Sequence, residues 1–292
     1  MKKLYILPFD HRSSFSKDIL STENPSNDQK KEIKQLKMII FKGLIDVIEN
    51  RKDKKDFSIL VDEEYGEKII KDAKKNKIKI CLPVEKSGGN QLKFNYGRNF
   101  KDHILKINPD FVKVLVRYNK ENTDINKKQL ETLAELSSFC KENNFKTILE
   151  LLVPPTKHDL KICQDKATYD KKLRAQKTAE SIKEIKAAIS PTIWKLEGLD
   201  GKQWEIVINE TKKANIIILG RGEDDKKVKQ WLRDAAKFEQ IIGFAIGRTI
   251  FMDPIKKYYS KKINAEEASL LIAKKFLSFI LIWEKEKNYE NL

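Results

Sequence analysis

Apolar residues in this chain recur in two alternating rhythms. Runs of five to eight residues rich in Ile, Val, Leu and Phe occupy Leu4–Phe9, Phe57–Val61, Ile78–Val84, Phe111–Arg117, Thr147–Val153, Thr192–Glu197, Asn215–Gly220 and Ile241–Arg248. Polar or turn-forming residues bound them, as β-strands require. Between them the apolar period lengthens to that of amphipathic helices, most clearly over Gln29–Glu49, Lys127–Asn143, Tyr169–Ala188 and Ala265–Glu284. Shorter helical candidates follow the second, third, sixth and seventh strands. Strands that alternate with helices imply parallel βαβ units. Eight such units in 292 residues predict a (β/α)8 TIM barrel, an α/β fold in a single domain spanning residues 1–292. An extended first βα loop at about 11–28 and a C-terminal helix at about 264–287 complete it. A doubly wound open sheet would place a glycine-rich turn after its first strand, but Asp10-His11-Arg12-Ser13-Ser14 contains no glycine.

Charged residues interrupt several strands at positions that decide where the chemistry lies. Strand residues alternate between faces, so Ile193, Lys195 and Glu197 share one side of the sixth strand and Thr192, Trp194 and Leu196 the other. On the fourth strand Phe111, Lys113, Leu115 and Arg117 oppose three valines. The valine face suits packing under helices, which turns Lys113 and Arg117 into the barrel. Glu150 shares its face with Ile148 and Leu152. An ammonium placed in such a setting loses water, and a lysine amine held neutral there attacks carbonyls to form Schiff bases. A lysine at a strand end can equally bind an anion or reach solvent. Active residues of these barrels sit at the C-terminal ends of the strands, where Asp10, His11, Arg12, Glu85 and Lys86 also fall.

The arginines sharpen the reading. Only eight of the 59 basic residues are arginine, yet Arg12, Arg117, Arg221 and Arg248 lie at or just past predicted strand ends. Arginine there suggests bidentate anion recognition. Leu219-Gly220-Arg221-Gly222 and Ile246-Gly247-Arg248-Thr249 follow the last two strands, where these barrels commonly bind phosphate. His11 beside Asp10 serves either acid–base chemistry or the orientation of Asp10. His103 and His158 read as structural or surface residues, and the four tryptophans as helix–sheet packing. Asp62, Glu63, Glu64 and Glu85 lack a nearby His or Cys set, so no metal site is expected.

Composition narrows the class. The net charge of +16 comes from lysines scattered in pairs along helix faces, with no nucleic-acid motif, so no nucleic-acid partner is expected. It still favours anionic substrates by steering. No apolar stretch approaches a membrane span. Three cysteines without metal-ligand spacing, and no hydrophobic leader after Met1, predict a cytoplasmic protein. The partner expected is a small phosphorylated sugar, with self-association possible for such a barrel.

Taken together, Phe9-Asp10-His11-Arg12, Val61-Asp62-Glu63-Glu64-Tyr65-Gly66, Pro83-Val84-Glu85-Lys86-Ser87-Gly88, Lys113-Val114-Leu115-Val116-Arg117-Tyr118, Glu150-Leu151-Leu152-Val153-Pro154-Pro155, Trp194-Lys195-Leu196-Glu197-Gly198 and the two Gly-Arg turns resemble the DUF2090 family. That family occurs alone or fused behind the sugar kinase of myo-inositol catabolism. It is similar to class I tagatose-bisphosphate aldolases, which are (β/α)8 barrels. The resemblance implies a lyase that cleaves 2-deoxy-5-keto-gluconate 6-phosphate to dihydroxyacetone phosphate and malonic semialdehyde without a cofactor. It implies Lys195 as the Schiff-base lysine, with Lys113 as a second lysine and Glu150 as an acid/base carboxylate. Asp10 matches an acidic position of those aldolases, although His11 follows it where they carry glutamine. The phosphate would meet Gly220, Arg221, Gly222, Gly247 and Arg248, and Arg117, Lys86, Arg12, His11 and Glu197 would contact substrate. Another sugar-phosphate aldolase, an isomerase, or a binding-only barrel remains the alternative.

Overall fold

The computed structural model describes residues 3–212 and 214–288. Residues 1, 2, 213 and 289–292, which the single-domain reading also spans, lie outside the described residues. In chain order the first half runs β1 (Leu4–Pro8), α1 (Ser13–Leu20), α2 (Asn27–Glu49), β2 (Phe57–Leu60), α3 (Glu63–Lys75), β3 (Lys79–Pro83), α4 (Phe100–Ile107), β4 (Phe111–Arg117), α5 (Thr123–Glu142) and β5 (Lys146–Leu152). The second half runs α6 (Lys157–Cys163), α7 (Lys166–Lys172), α8 (Arg174–Ile185), β6 (Ile193–Glu197), α9 (Gln203–Thr211), β7 (Asn215–Leu219), α10 (Asp225–Ala236), β8 (Ile241–Ala245), α11 (Arg248–Tyr259) and α12 (Ala265–Asn288). The eight strands pair in sequence order, all parallel, and β8 returns to β1. The chain is therefore a closed (β/α)8 barrel, as the alternation predicts.

Closure has a local cause at Gly243, which pairs with Leu4 across the seam. A Cβ there would sit 1.9 Å from the Leu4 carbonyl oxygen, so only glycine lets β8 approach β1 this closely. Two apolar layers follow from strand alternation. Leu4, Ile6, Leu60, Cys81, Phe111, Ile148, Ile193, Ile217, Ile242 and Ala245 fill the barrel interior. The opposite strand faces, including Val112, Val114, Val116 and Trp194, pack beneath the helices in a larger cluster. Both layers read as in the sequence: valines outward on β4, Ile193 inward on β6.

Several boundaries differ from expectation. The stretch 11–28 is not all loop, because α1 occupies most of it and ends in a left-handed Ser21. The residue that begins α2 is set by a capping box in which Ser26 and Gln29 satisfy each other's backbone N–H groups. The helix expected over 169–188 is two helices broken at Leu173, and the break brings Asp170 and Arg174 to the mouth of the barrel. Periodicity alone misses the break because the apolar positions run across it. Arg248 opens α11 instead of ending β8, which stops at Ala245. Among the described residues no helix is long and apolar enough to cross a membrane.

Candidate functional site

Pairing register assembles the floor of the site. Glu150 of β5 stands directly beside Lys195 of β6, and Lys113 of β4 lies one step down on the same inner face. Glu150 Oε2 is 3.0 Å from Lys195 Nζ and 2.8 Å from Lys113 Nζ, so one carboxylate bridges two ammonium groups. Lys113 has two further partners, Glu85 at 2.5 Å and Asp10 at 3.1 Å. Both lysines are almost fully buried. Burial alone would push the Lys113 ammonium down, but Asp10, Glu150 and Glu85 together hold it well above the usual lysine range. Burial raises the Glu150 and Asp10 carboxyls, and Lys113 and Lys195 outweigh it, so both acids stay below their usual range and ionised.

Above this floor opens a cavity of about 570 Å³ at the C-terminal ends of the strands. Lys195, Glu150, His11, Arg117, Glu197, Gly220, Arg221, Gly222, Gly247 and Arg248 all line it. Lys113 and Asp10 do not: they lie just beneath, joined to the cavity through Glu150. His11 is set against Phe251, and its Nδ1 is buried without a hydrogen-bond partner. Burial, helped by Arg248 and Lys195 and opposed by Asp10, pushes the imidazole down to about 4, so it is neutral near pH 7.

The anion-binding candidates divide into occupied and open groups. Arg221 donates to Glu197 at 3.1 Å and to Asp170 at 2.8 Å. Glu197 is itself saturated, because it also meets Arg174 at 2.5 Å and accepts the Val153 N–H at 3.0 Å. Among the described residues Arg248 and Arg117 pair with no carboxylate: Arg248 donates to the Arg221 carbonyl at 3.1 Å, and Arg117 to the Gly89 carbonyl at 3.0 Å. Arg117 ends β4 and Arg248 follows β8, strands four apart in the closed barrel, so the two lie across the cavity mouth from each other. Gly222 holds a left-handed conformation, with φ +77°, and a Cβ there would crowd the Arg248 guanidinium at 3.1 Å.

Two expected contacts fall elsewhere. Lys86 is exposed and lines a separate shallow depression, because Glu85 and Phe94 form an antiparallel bridge that turns the third loop back on itself. Arg12 also lies off the cavity, where its guanidinium donates to the Glu85 carbonyl at 2.6 Å and steadies the residue that holds Lys113. The sequence reading gives no role to Arg174 and Asp170, and places Glu85 at a strand end without a partner. Arg174 carried the signal used for the other arginines, being one of eight in a lysine-rich chain, but it starts a helix instead of ending a strand. Among the described residues no group of three or more His, Cys, Asp or Glu is arranged to hold a metal ion.

Fold and site together define a (β/α)8 barrel with a lysine-bearing floor beneath an arginine-rimmed mouth. The chain belongs to the DUF2090 family, described as an uncharacterized protein conserved in bacteria, whose model matches residues 1–287. A crystal structure of a protein from Corynebacterium glutamicum is similar at 16% identity, with 95% of this chain and 86% of that one covered and a TM-score of 0.58. A fructose-bisphosphate aldolase from Slackia heliotrinireducens is similar at 9% identity, with 94% and 86% covered and a TM-score of 0.58. At these identities the likeness concerns the fold. A comparison with curated proteins finds no match.

Proposed function

We propose that the protein is a class I aldolase, a carbon–carbon lyase that cleaves a phosphorylated keto sugar acid through a Schiff base on Lys195. The observation that carries this reading is the unequal surroundings of the two floor lysines. Lys113 is locked by three carboxylates beneath the cavity and stays an ammonium. Lys195 lines the cavity and, among the described residues, has a single carboxylate partner, Glu150, positioned to take its proton. The nucleophile is then Lys195, and Lys113 supplies fixed positive charge.

In the proposed reaction Glu150 takes a proton from Lys195, whose Nζ adds to the substrate ketone; Glu150 then returns that proton to the carbinolamine hydroxyl, which leaves as water to give an iminium ion and an ionised Glu150. The carbon–carbon bond breaks as its electron pair moves into the iminium. The hydroxyl proton of the departing aldehyde passes to Glu150, an ionised carboxylate within 3.0 Å of the reacting nitrogen. The resulting enamine is protonated and hydrolysed to release the ketone phosphate. Asp10 keeps Lys113 charged and completes the proton network below. The glycine-bearing turns and the uncapped N-terminus of α11 at Gly247 suit a phosphate, with Arg248 as its cation. Arg117, across the mouth, suits a carboxylate at the far end of the chain. A substrate of the 2-deoxy-5-keto-gluconate 6-phosphate type fits both poles, with dihydroxyacetone phosphate and malonic semialdehyde as products.

Borohydride trapping with dihydroxyacetone phosphate, read by peptide mass spectrometry, tests the reading. The expected result is a reduced adduct on Lys195. An adduct on Lys113 would exchange the two lysines, and no adduct with phosphate binding intact would end the Schiff-base reading.

A further inference from the structure

Arg174, Glu197, Arg221 and Asp170 form a closed ring in which each guanidinium touches both carboxylates. Arg221 meets Glu197 at 3.1 Å and Asp170 at 2.8 Å, while Arg174 meets Glu197 at 2.5 Å and also pairs with Asp170. The ring stands between two cavities. One is the central cavity of about 570 Å³, and the other is an outer groove of about 590 Å³ over the ends of β6 and β7. Both arginines line both spaces, whereas Glu197 faces only the central cavity and Asp170 only the groove. A phosphate entering from the centre therefore meets an arginine already carrying two carboxylates.

The two carboxylates are not equally held. Glu197 is buried on a strand and takes three donors, the third being the Val153 N–H. The Asp170 side chain is 28% exposed and belongs to the seven-residue helix α7, outside the barrel wall. Lys166 also lines both spaces beside the two arginines, so a phosphate that displaces Asp170 still meets several cations.

We propose that Asp170 is a place-holding counter-ion of the anion site, displaced into the outer groove when the substrate phosphate takes its position on Arg221. This rests on the phosphate-binding reading above. It assigns Asp170 a competing role instead of a supporting one, and it couples phosphate entry to movement of α7. A negative ligand gains when a like charge beside it is removed.

The test is calorimetric titration of the whole chain with inorganic phosphate, at low and moderate salt. Asp170→Asn is expected to bind phosphate at least about tenfold more tightly than the wild type, because a like-charge contact has been removed. Arg248→Ala should bind it more weakly. Asp170→Ser serves as a second variant should the asparagine disturb α7, with the same expected sign. Unchanged or weaker binding in both Asp170 variants, with Arg248→Ala still weakened, overturns the exchange alone and makes Asp170 a brace for Arg221. Absence of phosphate binding in every form overturns the exchange together with the phosphate site. Borohydride trapping on Lys195, run in parallel, reports separately on the Schiff-base reading.

Discussion

The chain buries a lysine against a carboxylate in two places, once outside the barrel and once inside it. Outside, Lys37 of α2 pairs with Asp62 at the end of β2, and both are essentially without solvent exposure. Tyr65 and Phe15 cover the ammonium with their rings, and Asp62 also accepts the Tyr65 N–H at 2.9 Å as the N-cap of α3. Inside, Lys195 meets Glu150 at 3.0 Å with comparable burial, yet both line a cavity large enough for a sugar phosphate. The pairing chemistry is the same, and access separates them. Asp62 spends its oxygens on structure, whereas Glu150 bridges two ammonium groups and faces open space. A buried ion pair therefore marks a reactive centre only where a substrate can reach one partner and the other has a second charge to lean on.

The comparison is tested most severely at Lys195. Lys195→Ala should lose cleavage activity and the borohydride adduct altogether, in steady-state assays and mass spectra of the trapped protein. Full activity in that variant would remove the inside pair from the mechanism. Glu150→Gln should keep the fold and lower kcat by about 10²–10⁴-fold, the usual range for a lost acid–base group. An unchanged kcat there would leave the proton transfer to another group. The outside pair should answer in the opposite way. Lys37→Met leaves the Asp62 charge buried and unpaired, which costs about 3–5 kcal/mol of stability by denaturant unfolding. Its kcat, measured well below the melting transition, should stay near the wild-type value.

Much of the inside pair was legible in the sequence, and little of the outside one. Lys195, Lys113 and Glu150 declare themselves because period-2 alternation sends every second residue of a strand inward, and a charge in such a position stands out. The two Gly-Arg turns declare themselves through residue type. Lys37 gives no such signal: in a helix of alternating lysines and isoleucines it looks like any solvent-facing lysine, and only tertiary packing of α2 against the start of α3 buries it. The Arg174–Asp170 pair was hidden for a related reason, since the helix break at Leu173 depends on how the fifth loop docks and not on local apolar spacing. Lys86 and Arg12 lie off the cavity because alternation ends where the strand ends, and the third loop turns back immediately afterwards.

His11, which lines the cavity beside Lys195 and Glu150, offers the smallest effect. Its folded pKa is depressed to about 4, below the ordinary histidine value near 6.5, chiefly by burial. Above pH 6.5 the ring is neutral in both folded and unfolded chains and contributes no pH dependence. Between about pH 6.5 and 4 the unfolded chain binds a proton that the folded chain refuses, so stability falls as the pH falls through that window. His11→Asn should therefore flatten the decline in unfolding midpoint between pH 7 and 5 relative to the wild type. Equal slopes in wild type and His11→Asn would mean that the folded protein admits the proton as readily as the unfolded chain, so that the imidazole is charged below about pH 6.5. It would then stand beside Arg248 and Lys195 as a third cation, and the unpartnered Nδ1 would be a donor to substrate instead of a neutral wall of the cavity.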